Sequence, residues 1–543
     1  MKNDVSDDLK VALKRNPHLK AYLEKFKRKY GTLPVFTPQL SRDMKALPRP
    51  NLLYPVGDPI FIHIFTDKNG DKKYIAVEPK LSTPDEKMKY EAVMDSMLEL
   101  APFEPTPETE EELEKLIDKL FGKVVTIVEG KTRLSGKKSG KVPLTREEAY
   151  KIKYLIKRDV IGVGPLEPLI RDPYIEDIHV IGPKNTHLVH KIFDMMPTNI
   201  EFGDELSLAE YLKNLGERIG RPVSERNPIV DGTLPDGSRV NIIYSTDVSL
   251  KGPSFTIRKF AATPISITQL INFGTLSSEI AAYLWICLEY GMSIWVSGET
   301  ASGKTTTLNA MLPFIKPQSK IYTAEDTPEV QVPHAVWQQL NTRERGEVGR
   351  VDLFDLLKAA LRSRPNYIIV GEIRGKEGAV AFQAMQTGHP VLATFHAGSV
   401  KKLIQRLTGD PINVPITFID NLNVVLIQQA VYRKGQFLRR CLQVEEIEGY
   451  FEEIDGIVTR AVFEWDSVTD KHIFRGLYNS YVLENKIAQT AGFDDPRKIY
   501  EELELRAMIL DKMVENKIFD YHEVSKIIWD YYKRGIEALP FKL

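Results

Sequence analysis

Apolar residues recur at helical spacing from Asp4 to Tyr30, with Val11, Leu13, Leu19, Tyr22, Leu23 and Phe26 along one side and Lys25, Lys27, Arg28 and Lys29 crowded on another. One or two amphipathic helices are expected there. Proline-rich connectors at Leu33 to Pro38 and Leu47 to Pro55 lead into PIFIHI, Pro59 to Ile64, whose β-branched apolar run predicts a strand. Helical patterns follow at Pro84 to Leu100 and, beyond the proline-interrupted acidic stretch Phe103 to Glu112, at Leu113 to Phe121. Gly130 to Lys141 (GKTRLSGKKSGK) reads as a mobile basic loop. Thr145 to Arg158 opens with TREE, a capping box of Thr145 with Glu148, and predicts an amphipathic helix. From Ile175 to Lys259 strand-like and turn-like segments alternate; after the turn PDGS (235–238), Arg239 to Tyr244 and Ser254 to Lys259 read as paired strands.

The pattern changes after Phe260. Helices and short apolar runs alternate as in a parallel sheet wound with helices, with core strands expected at Ser293 to Val296, Ile321 to Thr323, Tyr367 to Val370 and Val391 to Phe395. The expected division is therefore a helical basic extension over 1–50, an α+β domain over 51–260, a hinge at 261–264 and an α/β domain over 265–543. At 543 residues the chain is too long for one core, which agrees. The first fifty residues carry twelve basic against five acidic side chains, a local excess that suits anionic lipid or an acidic partner. Over the whole chain 73 basic and 74 acidic residues leave a net charge of -1, which argues against a nucleic-acid partner. The two cysteines, Cys287 and Cys441, rule out a four-cysteine zinc site and suit a reducing compartment. No apolar run is long enough for a bilayer span, and the N-terminus lacks a signal-peptide core, so a cytoplasmic location is expected.

Candidate chemistry gathers where the expected strands end. GETASGKT, Gly298 to Thr305, fits the phosphate-loop pattern between an apolar run and a helix-compatible TTLNAML. Gly298 and Gly303 let the backbone curl so that N–H groups along Glu299, Thr300, Ala301 and Ser302 face a phosphate. Lys304 supplies a mobile charge, Thr305 a hydroxyl for Mg²⁺, and Thr306 an α-phosphate contact, so ATP and Mg²⁺ are the expected ligands. YIIVGEIRG, Tyr367 to Gly375, puts Glu372 at a strand end, with Gly371 where simple phosphate-loop enzymes carry Asp; Glu372 suits holding Mg²⁺ through water or polarising water. IYTAEDTPE, Ile321 to Glu329, sets Glu325 and Asp326 at another strand end. TGHPVLATFH, Thr387 to His396, brackets a strand with His389 and His396, both candidates to sense a γ-phosphate.

These four segments, in this order, resemble the Walker A, Asp box, atypical Walker B and His box of the type II/type IV secretion ATPase superfamily, and the upstream GVGPLEPLIRDPYIEDIHV resembles its N-terminal domain. NLLYPVGDPIFIHI and FEWDSVTDKHIFRGLYNSYVLENKIA are similar to archaeal members, most closely the archaellum motor ATPases. The resemblance implies a RecA-like phosphate-loop ATPase domain with a parallel-rich sheet behind an α+β N-terminal domain. It also implies a homohexamer at the inner face of the cell membrane, working on a polytopic platform protein and accessory archaellum motor proteins, with ATP between the domains and beside a neighbouring subunit. Arginines from outside the loop then complete the site: Arg239, Arg258, Arg362 and Arg374 match by motif position. Glu325 is implied to activate water and Glu372 to hold the magnesium shell. Bacterial secretion relatives carry a four-cysteine motif after the His box that this chain lacks. A pilus-assembly or protein-secretion ATPase of the same superfamily is the alternative.

Overall fold

The computed structural model describes residues 7–130, 141–259, 263–343, 349–433 and 436–543. Most of the basic loop expected at 130–141, and residues 260–262 at the expected hinge, lie outside the described residues. The chain divides into two compact units, residues 1–260 and 261–543.

In the first unit, β1 (Val35–Phe36), β2 (Asn51–Pro55), β3 (Phe61–Thr66) and β4 (Lys72–Val77) form one sheet. Helices α1 (Asp7–Arg15) and α2 (Pro17–Tyr30) are not a free extension. Leu9, Leu19 and Leu23 share a buried cluster with Leu53, Phe61 and Val77 of that sheet. The apolar face of α2 is thus spent inside the protein, while Lys25, Lys27, Arg28 and Lys29 stay exposed. Next come α3 (Pro84–Leu100), α4 (Glu110–Val124) and α5 (Arg146–Val160), which share a core of Val93, Met97, Ile117, Leu120, Ile152 and Ile156. The start of α4 corrects the sequence expectation: Thr109 caps the Glu112 amide, and three glutamates in the first turn suit the positive end of the helix dipole, so the acidic stretch is partly helical. The Thr145–Glu148 capping box of α5 forms in both directions. Strands β5 (Val125–Ile127) and β6 (Val142–Leu144) pair in parallel beside these helices.

An antiparallel sheet completes the unit, in the order β10 (Ile229–Thr233), β11 (Arg239–Ile243), β12 (Ser254–Arg258), β7 (Ile175–Ile181), β8 (Thr186–His190), β9 (Asp194–Pro197). Short helix α6 (Glu167–Arg171) precedes it, and α7 (Glu205–Arg218) buries Leu208, Leu212 and Leu215 in the core the sheet shares. Tyr54 and Tyr74 of the first sheet donate to Asp172 Oδ2 at 2.7 and 2.8 Å, joining the two sheets through a buried carboxylate.

The second unit is built on a sheet that among the described residues runs β15 (Trp337–Asn341), β14 (Ile321–Glu325), β16 (Tyr367–Ile373), β17 (Val391–Phe395), β13 (Ile294–Gly298), β18 (Val424–Arg433), β19 (Gln436–Phe451), β20 (Gly456–Asp466), β21 (Lys471–Phe474). The strands from β15 through β18 are parallel; β19, β20 and β21 extend the sheet as an antiparallel meander. This is an α/β, RecA-like arrangement with the strand feeding the phosphate loop at its centre. Period-two alternation sorts the side chains between two layers. Ile294 and Val296 of β13 enter one cluster, with α8 (Ile267–Asn272), α9 (Ser278–Glu289) and the C-terminal helices Ile499–Glu515 and Tyr521–Arg534. Trp295 enters the other, formed with the helices after α10 (Lys304–Met311): α11 (Leu353–Ser363), α12 (Glu377–Gln386) and α13 (Val400–Thr408). Burial on both faces explains why these strands read as continuous apolar runs. Both cysteines are buried and free. Among the described residues no helix is long and apolar enough to cross a membrane.

Candidate nucleotide site

In a parallel sheet the C-terminal strand ends share one edge, and the loops leaving them form the site. Here the residues on that edge follow from register. Ser297 pairs with Phe395, which sets the phosphate loop beside His396; Ala324 pairs with Val370, which sets Glu325 beside Gly371 and Glu372.

The loop leaves β13 at Gly298, where close approach of β18 demands glycine: a Cβ would lie 2.2 Å from the Gln428 carbonyl oxygen. Two residues then take left-handed backbone, Ala301 at φ 62° and Gly303 at φ 91°. Glycine accepts that conformation freely; alanine is strained in it. Gly303 is the N-cap of α10 and no side chain caps it, so first-turn amides of the helix are left facing the loop. Lys304 is buried, and its Nζ donates to Glu299 O at 3.0 Å and to His396 Nδ1 at 3.4 Å. Burial lowers its pKa, against the pull of Glu372.

His396 links the loop to the second acidic strand end. Its Nε2 lies 2.8 Å from Glu372 Oε1, and Glu372 also pairs with Arg374. Burial, and then the Lys304 charge, lower the His396 pKa, which favours the neutral ring, with Nδ1 facing the Lys304 ammonium. The Arg374 pKa is raised, foremost by its hydrogen bond to Glu372. The local backbone aims Glu372: register shifts between Val370 and Ile373, so Gly371 and Glu372 stand opposite Thr394 alone, and Thr394 Oγ1 donates to Gly371 O at 2.5 Å. Such a bulge turns a side chain out of the strand's alternation.

Glu325 explains the glycine at 371. Its side chain fills the place beside that residue; a Cβ on Gly371 would sit 3.0 Å from Glu325 Cγ. Glu325 is 1% exposed, Oε2 accepts the Glu329 and Val330 amides at 2.7 and 2.9 Å, and Oε1 is buried without a partner. Burial raises its pKa to about 7. A carboxyl held near neutrality with one oxygen unsatisfied has the properties of a general base awaiting a ligand. Asp326 accepts from Thr342 Oγ1 at 3.1 Å.

Two other expected residues of the second unit lie away from this edge. His389 corrects the expectation: it precedes β17 whereas His396 follows it, so the two histidines sit at opposite ends of the strand, and His389 contacts Thr387 Oγ1 at 3.2 Å. A strand of five residues separates such positions by roughly 20 Å. Arg362 is exposed in the last turn of α11, beside the starting ends of β14 and β16, where Lys320 Nζ reaches Ser363 O; the phosphate loop is at the other edge. Arg239 and Arg258 belong to the first unit and pair with each other across β11 and β12, Arg258 Nε reaching Asp177 Oδ1 at 3.1 Å.

The structure adds residues that no motif marked. Lys402, Gln405 and Arg406 of α13 line a cavity of about 450 Å³ together with Gly298, Glu299, Thr300 and His396. Arg406 also donates to the His396 carbonyl and lies over the Phe395 ring at 4.9 Å. Asn309 of α10 donates to Glu329 O and accepts from the Gln331 amide, both at 2.9 Å, tying the loop's helix to the segment that holds Glu325. Arg439 of β19 donates from Nε to Ala301 O at 3.1 Å. Only the helical spacing of KKLIQR hints at a basic α13 face; Asn309 and Arg439 carry no sequence signal.

A phosphate loop at the central strand of a parallel sheet, with acidic residues at the neighbouring strand ends, defines a phosphate-loop nucleotide-binding protein. The chain belongs to the type II/IV secretion system protein family, whose model matches residues 159–506. It is similar to the uncharacterized protein MJ0900 of Methanocaldococcus jannaschii, at 64% identity over 99% of this chain and 98% of that one. It is also similar to the probable conjugal transfer protein TrbB of Sinorhizobium fredii, at 31% identity over 43% of this chain and 72% of that one. Among solved structures, the Legionella pneumophila ATPase DotB aligns with a TM-score of 0.39 and 18% identity, over 67% of this chain and 94% of that one.

Proposed function

We propose that the protein is a cytoplasmic motor ATPase that hydrolyses Mg·ATP as a homohexamer and drives archaellum assembly and rotation through a polytopic membrane platform protein. The observation that carries the ATPase reading is the linked row Lys304, His396, Glu372 and Arg374 beside a half-satisfied, near-neutral Glu325, all at the edge where the phosphate loop lies. Lys304 has three N–H donors and spends two inside the protein, leaving one for a phosphate oxygen. His396 stands between the lysine and Glu372, 3.4 Å from Lys304 Nζ and 2.8 Å from Glu372 Oε1. Glu325 accepts a proton from water through its unpartnered Oε1.

The donor set suits magnesium in this role. Among the described residues no cluster of three or more His, Cys, Asp or Glu side chains is arranged to hold a metal. A single hydroxyl from Thr305 and a water-bridged Glu372 match an ion that takes most of its ligands from phosphate and water. Held by Thr305 and, through water, by Glu372, Mg²⁺ would supply positive charge to offset the charge that develops on the phosphates.

The archaellum assignment rests on NLLYPVGDPIFIHI and FEWDSVTDKHIFRGLYNSYVLENKIA, which resemble archaellum motor ATPases. The similarity to TrbB favours a second reading, an ATPase for pilus assembly or secretion. Steady-state turnover tests the enzyme reading: the purified chain releases phosphate from Mg·ATP, and Lys304→Ala lowers the rate about 100-fold or more. An inactive wild type, or a variant of comparable rate, overturns it. Deleting the gene separates the cargoes, because loss of swimming supports the archaellum and loss of pili or secreted protein with swimming intact supports the second reading.

A further inference from the structure

The phosphate loop holds two left-handed residues, and one arginine from outside the loop touches both. Arg439 Nε donates to the carbonyl of Ala301, and a Cβ on Gly303 would come within 3.2 Å of Arg439 Cδ, so the side-chain stem lies along the helix N-cap. The strand behind it is fixed. Arg440, next in sequence, is buried and grips Asp470 with two hydrogen bonds of 2.8 and 3.0 Å, Phe273 O at 3.0 Å and the Arg439 carbonyl at 2.9 Å. The Arg440 hydrogen bond is the main reason that the Asp470 pKa falls to about 2, so the anchor is charged across the working pH range. Arg439 therefore reaches the loop from a rigid base, and its guanidinium adds a positive charge there.

Ala301 is where such a hold matters. An L-residue at φ 62° is strained, and the loop is free to relax unless a neighbour fixes its peptide. Gly303 needs no help with its own φ, but the Arg439 stem across it restricts movement of the turn that opens α10.

We propose that Arg439 is a positioning residue that holds the phosphate loop in its nucleotide-binding conformation by gripping Ala301 and Gly303 together. The inference rests on the nucleotide reading of this loop. It acts on binding, because a preformed loop spares the ligand the cost of ordering it.

The test compares Arg439→Ala, Arg439→Lys and Ala301→Gly, alone and with Arg439→Ala, by ATP dissociation constant and by KM against kcat. Loss of one charge-assisted hydrogen bond at an exposed site corresponds to about a five- to tenfold weakening of ATP binding. Arg439→Ala should show that change in Kd and KM, with kcat within about twofold and an unchanged melting temperature. Arg439→Lys should behave like Arg439→Ala, since lysine has no N–H at the Nε position. Ala301→Gly should recover most of the binding lost in Arg439→Ala when the two are combined, because the strain that needs holding is gone. Unchanged Kd in Arg439→Ala overturns the proposal. So does full activity with lysine, which would reduce the role to charge, or absence of recovery in the double variant. A wild type that binds ATP without hydrolysing it would sink the ATPase reading alone, and the Kd comparison would still decide this one.

Discussion

Glu325 shows most directly how burial sets chemistry at this site. With its folded pKa raised from 4.5 to about 7, the native state holds more protons than the unfolded state between those values, so the group costs stability as pH rises through that window. Below about pH 4.5 the penalty is absent; above about pH 7 it is fully present, on the order of a few kcal/mol. Glu325→Gln keeps the shape and the acceptor for the two backbone amides but removes the charge. Its melting temperature, measured without nucleotide, should match the parent near pH 4.5 and exceed it increasingly toward pH 8. A constant difference across that range would show that Glu325 does not titrate as its burial implies. The same side chain crowds Gly371, where the Cβ of an aspartate would come within 3.0 Å of Glu325 Cγ and push it aside.

Elements of the second unit bring these residues together, and Asn309 is the clearest join. It ties α10 to the Glu325 segment through both ends of its amide, and Tyr521 OH adds a hydrogen bond to Asn309 O at 3.1 Å. Asn309→Ala leaves the Glu329 carbonyl and the Gln331 amide short of a partner, a cost of about 1–3 kcal/mol. Chemical denaturation should read that loss, and ATP turnover should fall by more than the folded fraction does, because the loop's helix and Glu325 are no longer registered. Turnover that simply tracks stability would mean that the link is structural only.

The parallel core strands were legible because burial on both faces leaves an apolar run, and each ended near where its pattern stopped: Tyr367 to Val370 was expected, and Tyr367–Ile373 is observed. The extra residues are the bulge that aims Glu372, which no pattern of apolar residues encodes. Within one chain His389 and Arg362 lie away from the phosphate loop for a related reason. A motif records that residues are near in sequence, whereas strand direction decides which edge of the sheet they reach. Asn309 and Arg439 act through contacts between segments far apart in the chain, and these arise only on folding.

At the scale of the molecule, the chain pairs an α+β unit with a RecA-like unit whose sheet is extended by β19, β20 and β21. The extension is more than added mass, because β19 delivers Arg439 to the phosphate loop. The N-terminal helices spend their apolar face on the first unit's own sheet, so any attraction of their exposed lysines and arginine to a membrane is electrostatic and screened by salt. In the proposed function one sheet edge both binds and hydrolyses Mg·ATP, with Lys304 serving binding and Glu325 serving the chemical step. The most direct test is the rate of phosphate release from Mg·ATP by Glu325→Gln protein already saturated with nucleotide. ATP affinity should stay within about threefold of the parent and the turnover rate should fall about 100-fold or more, the scale of losing a general base. Phosphate release at the parental rate from saturated Glu325→Gln protein would contradict it.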